Sequence, residues 1–522
     1  MTWYHWLPVL MIASSAGPAV AIFFLEEESH GWRTLWNMLG AVVKILLLGV
    51  LFYEVHLGRT IAFHVPLLPG LTFKLHADAL SLLFAGLSTG LWFLTTIYAI
   101  GYLEHSPHRS RFFGFFSLCV STTIGIAMAG NLITLLIFYE FLSLTTWPLV
   151  VHRGNRTSIT AGHRYLVYTL GGGALLLIGV VWLQTLVGEI DFVARGGLAA
   201  LPPETHADLR LIFAMLVLGF GVKAALVPLH GWLPHAMVAP APVSALLHAV
   251  AVVKAGAFGI VRVVYDIFGI EFCERLGVLE PLAGLAAFTI LFGSWRALAQ
   301  DDLKRRLAYS TVSQVSYIVL GAAVFGPKAT IGGIVHLVHQ GLMKITLFFC
   351  AGNFAEELGL HRVSELDGVG RRMPWTMVAF TVGALGMIGV PPIAGFVSKW
   401  YLGWGALEAG MPWVIAVLAL SSLLNAAYFL PILYAGWFGQ RTTPWPAPQG
   451  HVPDGIVAPG PASHRSADSP CPRWLSVAAG ETSLLLLAPA LATAALSLLA
   501  GILAGSSFSP LYWARFIMMG EY

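Results

Sequence analysis

Charged residues are scarce in this 522-residue sequence: Asp, Glu, Lys and Arg make up 11%, against 57% hydrophobic residues. Soluble domains usually carry about 25% charged residues, so a chain with mean hydropathy +0.77 needs a bilayer to cover its apolar surface. Cysteine is sparse too. Cys119, Cys273, Cys350 and Cys471 stand far apart, without a CxxC or other ligand spacing, which argues against a disulfide framework, an iron–sulfur cluster or a zinc site. No metal centre is expected. No nucleotide- or flavin-binding motif is found, and the run Gly171, Gly172, Gly173 reads as helix packing; no cofactor is expected either. The net charge of +3 is small and there is no basic arm, so nucleic acid is not an expected partner. The first apolar run, 4–25, lacks a basic leading segment and an A-x-A cleavage site, and is long enough for the roughly 20 residues of a span. It is expected to be the first membrane helix.

What the chain has in abundance is long apolar runs separated by polar, Gly or Pro breaks. They lie at about 4–25, 35–55, 77–102, 112–129, 131–151, 164–187, 211–228, 243–264, 279–299, 303–325, 329–352, 374–401, 413–438 and 480–504. The expectation is an all-α integral membrane protein of about 14 transmembrane helices. Residues 1–111 hold helices 1–3, 112–264 and 265–438 hold two five-helix units, and 439–522 hold a polar loop and helix 14. That loop, Gln440–Arg473, is rich in Pro, Ser, Gly and His. With the N-terminus outside, roughly 16 Lys and Arg fall on the inner side and 8 on the outer, so both termini are expected to face outward from a plasma (inner) membrane.

Five basic residues are left over: Lys44, Lys223, Lys254, Lys344 and Lys399. All lie within expected spans and none is arginine. A charge at the centre of a span costs about 2.5–3.5 kcal/mol even on the milder insertion scale. Lysine can lose its proton on burial whereas arginine cannot, so the set suggests groups that gain and lose protons. Glu140 is the one acid placed deep in a span; it either staples two helices or pairs with a lysine.

Lys223 precedes Pro228, and Lys399 follows Pro391 and Pro392. Proline removes a backbone hydrogen bond and clashes with the preceding turn, so both helices should break. Either break alone would pass as a packing kink. Two of them, each with one lysine and in corresponding positions of the two units, point to inverted repeats with an ion site in each. His336 lies eight residues before Lys344 on the same helix face, while His248 lies six before Lys254, off its face. Membrane histidines either bridge helices or relay protons. Lys44 has no Pro or His nearby, and Asp78 is expected to cap the third span.

Four segments carry a family resemblance: FYEFLSL around Glu140, GVKAALVPLHGWLPHAMVAPAPVSALLHAVAVVKAG, DDLKRRLAYSTVSQVSYI and GMIGVPPIAGFVSKW. Over roughly 75–440 the chain resembles the antiporter-like subunits shared by respiratory complex I, Mrp-type cation/proton antiporters and membrane-bound hydrogenases. The resemblance implies fourteen helices in two inverted five-helix repeats, with helices 7 and 12 discontinuous. It also implies a proton path through Glu140, Lys223, His248, Lys254, His336, Lys344 and Lys399, with Glu140 and Lys223 as a pair. The implied function is proton translocation within a complex of other membrane subunits, with no catalytic site in this chain itself even where the complex is an NADH:quinone oxidoreductase-type translocase. The alternatives are an Mrp-like Na+/H+ antiporter subunit, a proton-driven subunit of a carbon-uptake partner, or a non-conducting scaffold. The chain departs from the family pattern at Gln340, where many relatives have histidine, and at His163-Arg164-Tyr165, where a lysine–tyrosine pair is usual.

Overall fold

The computed structural model describes residues 3–103, 106–441, 445 and 481–522. Apart from residues 440, 441 and 445, the expected polar loop Gln440–Arg473 lies outside the described residues.

In chain order the elements are α1 (Leu7–Phe23), α2 (His30–His56), a hairpin of β1 (Ile61–Leu68) and β2 (Leu71–Ala77), α3 (Ala79–Tyr102), α4 (Arg109–Ala127), α5 (Leu132–Val150) and α6 (Arg156–Val187). Next come α7 (His206–Lys223), the short α8 (Trp232–His235), α9 (Ala241–Ala249), α10 (Val252–Arg262) and α11 (Ile270–Leu276). The second half holds α12 (Leu279–Leu298), α13 (Leu303–Ala323), α14 (Pro327–Leu358), α15 (Val369–Arg372), α16 (Pro374–Ile388), α17 (Ala394–Glu408) and α18 (Trp413–Phe438). Two helices close the chain, α19 (Leu484–Ile502) and α20 (Pro510–Glu521).

Twelve helices among the described residues are long and apolar enough to cross a membrane. The expected spans at 303–325 and 374–401 are not among them, for two physical reasons. α13 is long but diluted by Lys304, Arg305, Arg306 and a series of Ser, Thr and Gln. The other is cut at Gly389–Ile393 into α16 and α17, each of 15 residues. Two candidate spans, Ala241–Phe268 and Pro327–Leu358, have apolar windows that are 100% buried. They form the interior of the bundle, and they carry His248, Lys254, His336 and Lys344.

Loop contacts sort the helix ends onto two faces. On one, Arg109 N donates to Glu27, Arg111 to the His152 carbonyl, and Lys304 to the Ala239 carbonyl. On the other, His5 meets the Ala62 carbonyl, Lys74 pairs with Asp191 and Arg195 N donates to Glu521. Residues 5 and 521 therefore share the hairpin's face, as the expected common side for the termini requires. The hairpin itself pairs Ile61 with Ala77 across a turn at Gly70, whose φ of +77° suits glycine.

Candidate functional site

Glu140 sits on α5, a helix begun by the Asn131 side chain accepting from Thr134 N at 2.9 Å. Its carboxylate presses against Gly173 of α6, so closely that a Cβ at Gly173 would overlap Oε1. The glycine run on α6 is thus where the acid finds room. Glu140 Oε1 is buried without a hydrogen-bond partner.

Lys223 is the last residue of α7 and is fully buried. Beyond it the chain unwinds: Ala225 adopts φ +58° and Val227 N is captured by Thr289 Oγ1 of α12 at 3.1 Å. The Val222 carbonyl accepts from Ala225 N at 3.2 Å and from Trp232 Nε1 at 2.7 Å, which closes the helix end. The Lys223 amine donates to the Tyr139 carbonyl and lies 3.3 Å from the centre of the Tyr139 ring. The expected partners are therefore neighbours but form no direct ion pair. Tyr139 and Glu140 are consecutive on α5, so their side chains diverge by about 100°, and the amine sits on the tyrosine's side.

Lys254 stands on α10 next to this break, because Gly256 packs directly on the backbone at the end of α7. Its amine is fully buried and has no hydrogen-bond partner among the described residues. The helix is interrupted just before it, at Val250 and Ala251, and His248 ends the preceding piece with both ring nitrogens unpartnered.

In the second half, α14 presents His336, His339, Gln340 and Lys344, all fully buried. The Lys344 amine donates to Ser310 Oγ of α13 at 2.8 Å. The Tyr428 hydroxyl of α18 lies 2.9 Å from that oxygen and donates to Asn425 Oδ1 at 2.5 Å. Asn425 Nδ2 donates to the Met387 carbonyl at 3.0 Å, and Lys399 donates to the same carbonyl at 3.0 Å, to Ile388 O at 2.8 Å and to Ser422 Oγ at 2.9 Å. Three side chains and one backbone carbonyl thus join the two lysines. Met387 and Ile388 are the last residues of α16, so Lys399 is held by the negative end of a half-helix across the Pro391–Pro392 break. His336 Nδ1 meets Ser398 Oγ at 2.7 Å, and its ring lies 5.2 Å from Tyr317, which also faces Lys399.

All seven expected site residues therefore line the interior or a helix break. Ser310, Asn425 and Tyr428 were not expected from sequence, although Ser421, Asn425 and Tyr428 at four- and three-residue steps on an otherwise apolar helix were a readable polar stripe. Arg164 is exposed, whereas Tyr165 beside it is buried. Gln340 has neither amide atom paired among the described residues.

Residues 129–425 match the family described as NADH:quinone oxidoreductase/Mrp antiporter, TM. The chain belongs to this family. Residues 70–113 further match the family described as NADH-Ubiquinone oxidoreductase (complex I), chain 5 N-terminus. Similar family members include NADH-quinone oxidoreductase subunit N of Desulforudis audaxviator, 40% identical over 69% of this chain and 72% of that one. A Rhizobium meliloti protein named as part of a probable K(+)/H(+) antiporter is 30% identical over 87% of this chain but 45% of its own greater length. Among solved structures, a chain of the Mrp complex from Dietzia sp. DQ12-45-1b superposes with a TM-score of 0.82 at 24% identity, covering 100% of this chain and 97% of that one. A chain of Thermus thermophilus respiratory complex I gives 0.75 at 22% identity, covering 99% of this chain and 100% of that one. These likenesses establish the fold of this NADH:quinone oxidoreductase/Mrp family member.

Proposed function

We propose that the chain is a proton-translocating subunit of a multi-subunit plasma-membrane complex, and that protons pass through Glu140, Lys223, His248, Lys254, His336, Lys344 and Lys399. Its relatives named as subunits of quinone oxidoreductases and of antiporters support membrane partners, which would supply the energy. The two five-helix units, 112–264 and 265–438, each supply a broken helix with a lysine beside it, Lys223 in the first and Lys399 in the second.

The observation that carries the reading is the bridge from Lys344 through Ser310, Tyr428 and Asn425 to the carbonyl that holds Lys399. It offers short steps between two groups able to hold a proton. Elsewhere along the axis, Lys254, His248 and Gln340 present buried polar atoms without hydrogen-bond partners among the described residues. Such atoms are normally satisfied by internal water, which also conducts protons. Amines and imidazoles dominate the set, and they offer no oxygen ligands to an alkali cation, so the proton is favoured over Na+ as the ion carried.

Replacing Tyr428 by phenylalanine removes one hydroxyl and keeps the ring that packs on Phe429. In membrane vesicles bearing the complete complex, proton uptake followed with a pH-sensitive dye is expected to fall about a hundredfold or more, the scale on which positioned proton donors act. Unchanged uptake would remove the bridge from the path and favour the scaffold reading.

A further inference from the structure

The axis leaves one buried lysine unused. Lys44 lies on α2, fully buried, with its amine donating to Ser15 Oγ of α1 at 2.5 Å and standing 4.9 Å from the Trp92 ring of α3. Ser15 Oγ in turn meets Ser121 Oγ of α4 at 2.7 Å. From there a polar column runs back toward one membrane face. Ser117 donates to Asn37 Oδ1 at 3.2 Å, Asn37 Nδ2 to the Arg33 carbonyl at 2.9 Å, and Arg33 to Ser110 Oγ at 2.9 Å.

The two helices share one spacing. Arg33, Asn37, Gly40 and Lys44 on α2 follow steps of four, three and four, as do Ser110, Gly114, Ser117 and Ser121 on α4. Each set forms a single stripe; Arg33 and Asn37 reach Ser110 and Ser117 directly, while Gly40 and Gly114 pack on Ser14, Pro18 and Phe23 of α1. Eleven residues of helix separate Arg33 from Lys44, about 16 Å, which is roughly half the hydrocarbon thickness. At the Arg33 end a cavity of about 510 Å³ is lined by His30, Arg33, Thr34 and Arg109 among others.

The chain treats a permanent buried cation quite differently. Arg262 is met by two carboxylates, Asp78 at 2.7 Å and Asp266 at 3.0 Å. Among the described residues, Lys44 meets a hydroxyl and an aromatic face and no carboxylate. No residue of α1 titrates. The titratable groups of α3 are Tyr98, bonded to Phe349 O, and Tyr102, stacked on it. On α4 they are Arg109 and Arg111 at the cavity end, and Cys119, whose thiol faces Thr146. The remaining charges of α2, His30, Arg33, Glu54 and His56, lie toward its ends.

We infer that Lys44 is a second proton-binding site, separate from the Glu140–Lys399 axis, and that the Arg33–Ser121 column is its route to the face bearing Arg33. The amine takes up a proton from that side and releases it along the same column; the Trp92 face holds the cation while it is charged.

Fluorine NMR tests this without measuring proton flux, so its outcome is independent of the axis. The complete complex is labelled with 5-fluorotryptophan in sealed vesicles, and the Trp92 resonance is identified by its loss in Trp92→Phe. The resonance is expected to move with pH in the native chain, to follow pH on the Arg33 side, and to stop moving in Lys44→Met and in Lys44→Arg, which keeps the charge but cannot release it. A native resonance that does not move, one that still moves in Lys44→Met, or one that follows only the opposite side overturns the proposal.

Discussion

Replacing Lys223 by methionine is expected to cut proton transport by the complete complex about a hundredfold or more, while the chain still folds and assembles. The size follows from removing a group that must hold the proton in transit, a role for which factors of roughly 10²–10⁴ are usual. Folding should survive because the amine is fully buried and its contacts are a helix carbonyl and an aromatic ring, both of which tolerate an apolar neighbour of similar length. The exchange breaks no direct ion pair, so it leaves no paired carboxylate stranded. Lys223→Arg sharpens the comparison. It preserves a cation beside Tyr139 and Glu140, but the guanidinium does not let go of its proton. Dye-monitored uptake in vesicles should therefore be lost in both variants, with the amount of assembled complex, measured on native gels, close to normal. Retained transport in the arginine variant would mean that Lys223 serves only as a fixed charge.

The second large effect concerns stability. Arg262 is 1% exposed and ties α10 to the start of α3 through Asp78, to its own next turn through Asp266, and to Ser81 Oγ at 2.8 Å. Arg262→Met leaves two carboxylates facing each other without their cation. Stranding a buried charge costs about 3–5 kcal/mol, so the purified complex should lose this chain at markedly lower temperature than the native one. Adding Asp266→Asn removes one of the stranded charges and should recover part of the loss. Identical melting of the Arg262→Met and native complexes would show that the cluster carries no stability.

Much of this architecture was legible in advance because the bilayer restricts the chain to apolar helices, and because charge inside them is costly enough to stand out. Pro228, Pro391 and Pro392 marked two breaks, and Lys399 indeed sits across one of them against the end of α16. Asp78 caps α3 through Ser81 N at 2.7 Å, as its position suggested. Other features left no local trace. The interruption at Val250 and Ala251 uses residues common in any membrane helix, so nothing in the sequence separates it from a continuous span. Arg262 reads as a loop anchor until the fold brings Asp78 to it from 184 residues away. The hydrogen bond from Lys223 to Tyr139 is to a backbone carbonyl, and backbone carbonyls are the same at every position. The family resemblance pointed to Glu140 as the partner of Lys223; the structure sets the amine on Tyr139, the residue beside Glu140 in the chain, without a direct ion pair.

The most direct test of a path through the axis is Glu140→Gln, measured as proton uptake into vesicles carrying the complete complex. The carboxylate is fitted against Gly173 and has an unpaired oxygen, so the amide keeps its shape and removes only its ability to bind and release a proton. Uptake is expected to fall near the background of vesicles lacking the chain, with normal assembly; uptake at the native rate would contradict a proton path through Glu140.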